Sequence, residues 1–310
     1  MKLSNLEIKF NEERTFGVEM ECILEAEDHR EVMNGLEREG ISARVGRSHN
    51  DSPEGNEWLV TIDGSLDKHG IDSYSHITAE VVSPILKGRE GLRKLEVVTD
   101  ILNDKFDAKI NKSCGLHIHH GIEDLSFKRI QKLFKLYANY EKGIDELLPK
   151  SRRENNNRYA KSLRTLRGTT DFADYFHKIH DCNTIQELQS AVATDNLREY
   201  NDYNTYRYHK LNFDPYESKG TVEFRQHSGT TDFEKIKNWI LLGQALIQRT
   251  QCRVVVTQNN IDNPPKWNYI KHQIGLTEAK NAGEMMQEMA EFYKGRKQKF
   301  DNKYNQAQAV

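Results

Sequence analysis

Four short stretches alternate ionisable with apolar side chains, and they constrain the fold of this chain more than any other feature. They are Phe16-Gly17-Val18-Glu19-Met20-Glu21-Cys22, Ala79-Glu80-Val81-Val82-Ser83-Pro84, Ser113-Cys114-Gly115-Leu116-His117-Ile118-His119-His120-Gly121 and Thr221-Val222-Glu223-Phe224-Arg225-Gln226-His227-Ser228-Gly229-Thr230. Successive side chains of a strand point to opposite faces, so each stretch reads as a strand with one charged and one apolar face. In the first, Phe16, Val18, Met20, Cys22 and Leu24 make the apolar face, and Glu19 and Glu21 share the other. In the last, Glu223, Arg225 and His227 lie opposite Val222 and Phe224. If these strands share a sheet, four carboxylates or more, the imidazoles and a guanidinium meet on one surface. Crowded carboxylates in a partly desolvated place repel each other, and they either take up protons or bind a counter-charge, usually a divalent metal.

Each motif alone has a plainer explanation. Glu-x-Glu also describes the wet face of an edge strand, Glu223-x-Arg225 a surface ion pair worth under about 1 kcal/mol, and His117-x-His119 a pair of satisfied polar groups. Four such motifs in one chain favour a metal or polyanion site.

The 310 residues suffice for a substantial core in one large domain or two. No stretch approaches the roughly 18 apolar residues of a membrane-spanning helix, and the first residues lack the apolar region of a signal peptide. A formal net charge of −2 creates no field that would recruit nucleic acid. Cys22, Cys114, Cys182 and Cys252 lie far apart with no Cys-x-x-Cys pair, which argues against a zinc module and a disulfide scaffold. Buried thiols in a reducing cytoplasm are the expectation.

Along the chain, periodicity and breakers predict a helix near 28–40, strands near 41–45 and 57–62, and a helix carrying Leu92, Leu95, Val98, Ile101 and Leu102, with Gly88 ahead of it. Asp63-Gly64-Ser65 has the composition of a turn, although the Asp63 carboxylate could also serve a site. Ser126 is the expected cap of a helix with a buried stripe of Ile130, Leu133, Phe134, Tyr137, Ala138 and Ile144, ending near Pro149. Residues 151–168 then carry six basic side chains against one acidic, which suits a solvated surface or a phosphate clamp. A helix over 184–193, an aromatic strand over 203–213, a turn at 218–220 and a long helix capped by Asp232 follow. After about residue 255, a polar tail with a charged helix over 278–298 reads as a peripheral appendage, frayed over its last ten residues. Several connections between strands are too short for helical crossovers, so the fold class is α+β, with a mixed or antiparallel sheet.

With these motifs in hand, the chain resembles the amidoligase family of the carboxylate–amine ligase superfamily, whose better-known members are glutamine synthetase and glutamate–cysteine ligase. Six segments carry the resemblance, in the family's order: 16–21, Asp63-Gly64-Ser65-Leu66, 80–84, 114–119, Pro149-Lys150-Ser151-Arg152-Arg153 and 222–230. It spans residues 14 to 250 or so and leaves out the tail, giving a catalytic domain over 1–255 and a helical appendage over 256–310. The resemblance implies a curved, mostly antiparallel sheet with helices on its convex side and a concave face holding ATP and two or three Mg2+ or Mn2+ ions. It implies that Glu21, Asp63 and Glu80 hold one metal and that Glu19, His117 and Glu223 hold another. Arg225 would face the transferring phosphate or a substrate carboxylate, and His119 would line the same cleft, with Arg225, His119 and Glu223 the catalytic set. A histidine in one shell leaves room for manganese, since magnesium prefers oxygen ligands. Arg152, Arg153 and Arg158 are the expected triphosphate contacts, together with Arg225.

The implied reaction is ATP-dependent formation of an amide or isopeptide bond between small-molecule or peptide substrates through an acyl phosphate. The chain has no Walker loop, Gly-x-Gly-x-x-Gly, Gly-x-Ser-x-Gly or His-Glu-x-x-His, which fits catalysis by metals and arginines. Two other readings stay open: a non-catalytic nucleotide- and metal-binding module on the same scaffold, and a cupin-type metal oxygenase using His117, His119 and Glu123. The acceptor and donor are not encoded in any recognisable motif, and loops 46–56 and 199–208 are the places to expect specificity. The family's habits also leave room for a homo-oligomer, with the tail as a contact.

Overall fold

The first strand, β1 (Thr15–Glu25), is the longest among the described residues, and its even-numbered side chains explain why. Val18, Met20, Cys22 and Leu24 are completely buried, so one face of β1 is continuous core. The computed structural model describes residues 8–47, 51–71, 74–164, 172–192, 205–253, 263–276 and 283–308. They form an α+β structure whose sheet is mostly antiparallel. The chain divides into two compact units: Asn11–His120 with Gln226–Ile240, and Met1–Phe10 with Gly121–Arg225 and Leu241–Val310.

The first unit holds β1, α1 (His29–Arg38), β2 (Ala43–Val45), β3 (Trp58–Thr61), β4 (His76–Val82), β5 (Leu86–Lys87), α2 (Gly88–Phe106) and most of β6 (Gly115–Gly121). Its strands lie in the order β2-β3-β4-β1-β6, with β5 alongside one end of β1 and the parallel pair confined to β2–β3. Asp28 starts α1 by accepting the backbone N–H groups of Arg30 and Glu31 at 2.8 and 3.0 Å. The apolar stripe expected on α2 is buried throughout. Ser83 fastens β4 to β1: its N–H donates to Val18 O, and its Oγ accepts Val18 N–H at 2.9 Å and donates to Pro84 O. The serine of the Ser-Pro pair is therefore a strand clasp.

The second unit holds α3 (Phe127–Asp145), α4 (Phe172–Asp181), α5 (Ile185–Val192), β7 (Leu211–Asn212), α6 (Pro215–Lys219), most of β8 (Thr221–Ser228), the second half of α7 (Phe233–Arg249), α8 (Trp267–Gln273) and α9 (Glu284–Gln308). The boundary between the units falls inside β8, between Arg225 and Gln226.

Several expectations are corrected. Ser126 occupies the cap of α3, but no side-chain hydrogen bond caps the helix, which stops at Asp145. The strand expected over 203–213 shrinks to Leu211–Asn212, because 205–208 wind into a 3-10 turn; 203 and 204 lie outside the described residues. The turn at 218–220 is the end of α6, closed by Gly220 at φ +64°. In the tail, Trp267, Ile270, Met286, Met289, Tyr293 and Phe300 are buried. Arg296 Nε donates to Leu147 O at 2.7 Å, just beyond α3, and Lys297 pairs with Glu146 at 3.3 Å. Helix α9 runs to Gln308; 309 and 310, and the predicted start at 278–282, lie outside the described residues.

Candidate metal-binding site

Strand register assembles the charged face. Within the first unit, β1 lies between β4 and β6, with Glu21 opposite Glu80, Glu19 opposite His117 and Gly17 opposite His119. Glu19 and Glu21 are two residues apart and share a face. Asp63 follows β3, whose Thr61 stands opposite Glu80. Ligand atoms of Glu21, Asp63 and Glu80 consequently lie within 4.8 Å of one another, as do those of Glu19, Glu80 and His117. Glu80 belongs to both groups.

Two imidazoles grip Glu19: His117 Nδ1 lies 3.2 Å from Oε2, and His119 Nε2 lies 3.1 Å from Oε1. The other nitrogen of His117, Nε2, is 3.6 Å from Glu21 Oε1, and Glu21 Oε2 accepts the Gly115 N–H. Burial opposes ionisation of Glu19, but His119 and His117 outweigh it and hold the carboxyl well below the usual carboxylate range. Among the described residues, the ion-pair partners of Glu19 and Glu21 are histidines; neither pairs with a lysine or arginine. His120, on the opposite face of β6, is completely buried and pushed down to about 3 by burial and by Arg14. Adjacent histidines thus have different fates because a strand alternates.

Glycines allow this crowding. A Cβ on Gly115 would sit 2.9 Å from His117 Nε2 and 3.1 Å from Glu21 Oε2. Gly229 donates its N–H to Cys114 O at 2.8 Å, and a Cβ there would come within 2.4 Å of Cys114 Cβ. Asp63 is both turn former and cluster member: its Oδ1 accepts the Ser65 N–H at 2.7 Å.

The Glu21–Asp63–Glu80 group offers carboxylate oxygens alone, which suits a hard ion such as Mg2+, and the Glu19–Glu80–His117 group adds one imidazole, which suits a softer divalent ion such as Mn2+.

Residues 12–247 match the model of a protein family described as "Putative amidoligase enzyme". The chain belongs to this amidoligase family. The match includes all four charged strands and stops before the tail helices. Among curated proteins, none matches the chain. Membership makes the protein one of a family of amide-bond-forming ligases.

The remaining residues expected at the amidoligase site belong to the second unit. Glu223 is buried, accepting from Asn212 Nδ2 at 2.7 Å and pairing with Arg225 Nη1 at 2.5 Å. Arg225 Nε donates to Tyr159 O at 3.3 Å. Arg152 is buried in the turn after Pro149, and Arg153 Nε donates to Leu148 O at 2.8 Å while its guanidinium covers Phe300. Arg158 is exposed and lies 4.5 Å from the centre of the Tyr159 ring. The basic run beyond Arg164, to residue 168, lies outside the described residues, as do 48–50 and 199–204 of the expected specificity loops. Glu123, which the cupin reading requires, is exposed beyond β6 and joins no His-carboxylate group among the described residues.

Sequence reasoning missed Lys210. This completely buried lysine reaches Glu141 Oε1 at 3.0 Å and Asp145 Oδ1 at 2.8 Å, both on α3. Glu141 Oε2 accepts Leu163 N–H, and Asp145 Oδ2 accepts Glu154 N–H, so the network ties two points of the basic stretch to α3. The signal was present: Glu141 and Asp145 continue the stripe of Phe134 and Tyr137 at helical spacing.

Proposed function

We propose that this amidoligase is an ATP- and divalent-metal-dependent carboxylate–amine ligase working through an acyl phosphate. The observation that carries the reading is the pair of overlapping carboxylate groups on β1, β3–β4 and β6, whose imidazoles are the ion-pair partners of Glu19 and Glu21. Glu21, Asp63 and Glu80 would hold one Mg2+ or Mn2+, and Glu19, Glu80 and His117 a second. When bound, such ions neutralise phosphate oxygens and favour displacement at phosphorus.

The side chains have separable tasks. Glu19 is kept ionised by His117 and His119, so it presents negative charge without first losing a proton. The N–H of Gly115 holds one oxygen of Glu21 and leaves the other toward His117. Arg225 offers a guanidinium, oriented by Glu223 and the Tyr159 carbonyl, to a phosphoryl group or a substrate carboxylate. Of the three arginines proposed for the triphosphate, Arg158 is the most exposed, and Arg152 and Arg153 lie in and directly after the 3-10 turn that precedes it.

In the proposed reaction, a substrate carboxylate oxygen attacks the γ-phosphorus of ATP and ADP leaves. A neutral amine then attacks the acyl carbon; inorganic phosphate departs, the nitrogen loses a proton and the amide remains. The test is release of ADP and phosphate in the presence of Mg2+ or Mn2+ across amino acids, polyamines and peptides. Acceptor-dependent ADP and phosphate, lost in Glu21→Gln, is the expected result. AMP with pyrophosphate would replace acyl phosphate by adenylation, and ATP binding without turnover would make the chain a binding module.

A further inference from the structure

A second cluster with metal-binding chemistry lies at the far end of β1. The β1–β4 register that sets Glu21 opposite Glu80 sets Glu25 opposite His76. The chain leaving α2 returns to β1 through the Ile23–Lys109 bridge, which brings Asp107 beside the same end. Ligand atoms of Glu25, His76 and Asp107 lie within 4.8 Å of one another. Ile23, between Glu21 and Glu25 on β1, packs with Leu66, Cys114, Ile71 and Ile110, so an apolar plug separates this cluster from the candidate metal centre.

The state of His76 points to a ligand. Its Nδ1 lies 2.9 Å from Ser75 Oγ, while Nε2 is buried and, among the described residues, has no hydrogen-bond partner. A buried ring nitrogen without a partner carries a desolvation cost that a metal bond would remove. The contact of the opposite nitrogen with a hydroxyl is the outer-shell arrangement that orients a metal-bound imidazole. Glu25 and Asp107 are exposed and supply oxygens from two further segments. One group competes: Lys109 Nζ pairs with Asp107 Oδ1 at 2.5 Å.

We propose that Glu25, His76 and Asp107 form a zinc-class binding site, distinct from the ligase centre, that ties the ends of β1, β4 and α2 together. One imidazole and two carboxylates, with water completing the shell, match Zn2+ better than Mg2+.

The experiment is Zn2+ binding to the full chain by equilibrium dialysis, in wild type and in a Glu19→Gln/His117→Asn background that removes donors from the ligase centre. His76→Gln should remove one equivalent of Zn2+ in both backgrounds and abolish the associated rise in melting temperature. Ser75→Ala should weaken binding about tenfold, and Lys109→Met should tighten it several-fold. Glu25→Gln, on an exposed side chain, guards against misfolding and should also lose the equivalent. Unchanged Zn2+ stoichiometry in folded His76→Gln and Glu25→Gln variants would overturn the proposal.

Discussion

Two acidic clusters, one in each unit, solve the same electrostatic problem in different ways. On α3, Glu141 and Asp145 are neutralised from within by Lys210, with side-chain exposures of 0, 6 and 0%; the cluster is closed. On the sheet, Glu19 and Glu21 keep exposures of 18 and 9%, and their ion-pair partners are imidazoles. Burial raises the Asp145 carboxyl above its ordinary value, although Lys210 pulls the other way, whereas Glu19 is held well below its own. A cluster that carries its own cation serves the fold. The other, in which Glu19 stays ionised, partly open and paired with imidazoles, is the one the proposed function uses to receive a metal ion.

The sharpest way to break the comparison is Lys210→Met. Removing the cation leaves two buried carboxylates facing each other, and unfolding in urea should show a loss of about 3–5 kcal/mol. Glu21→Gln should do the reverse, leaving stability within about 1 kcal/mol of wild type and lowering acceptor-dependent phosphate release about 10²–10³-fold. If Glu21→Gln unfolds the protein, the sheet cluster is structural after all.

Smaller effects sharpen the contrast. Gly115→Ala pushes a methyl against His117 Nε2 and Glu21 Oε2, so metal affinity in titration calorimetry should fall about tenfold. Ser83→Ala removes the acceptor for Val18 N–H and should cost about 1–2 kcal/mol in thermal unfolding.

The smallest effect is a pH slope. Because Asp145 has a folded pKa above its unfolded value, the folded state holds the proton longer, and stability from this group falls as pH rises from the ordinary carboxylate range through the raised value. Asp145→Asn should flatten that part of the urea-stability profile.

The sheet cluster was legible in the sequence because strand alternation translates residue spacing directly into facing. Glu19, Glu21, Glu80 and His117 needed only the correct pairing of β1 with β4 and β6. The face of α3 was less legible: Glu141 and Asp145 sit at core positions, but only Lys210, 65 residues beyond Asp145, makes that tolerable. Composition cannot reveal so distant a partner. The basic run reads as surface or clamp; in the structure, Arg153 is tied to Leu148 and to Phe300 of the tail helix while Arg158 stays exposed. Aromatic content over 203–213 suggested a strand, but 205–208 form a 3-10 turn beside the two residues of β7.

The most direct measurement is Mn2+ binding followed by electron paramagnetic resonance on the full chain, comparing wild type, Glu21→Gln and Glu80→Gln. The account predicts that wild type binds Mn2+, that both variants bind fewer ions, and that Glu80→Gln, whose carboxylate belongs to both groups, loses the most. Undiminished Mn2+ binding in both variants would contradict it.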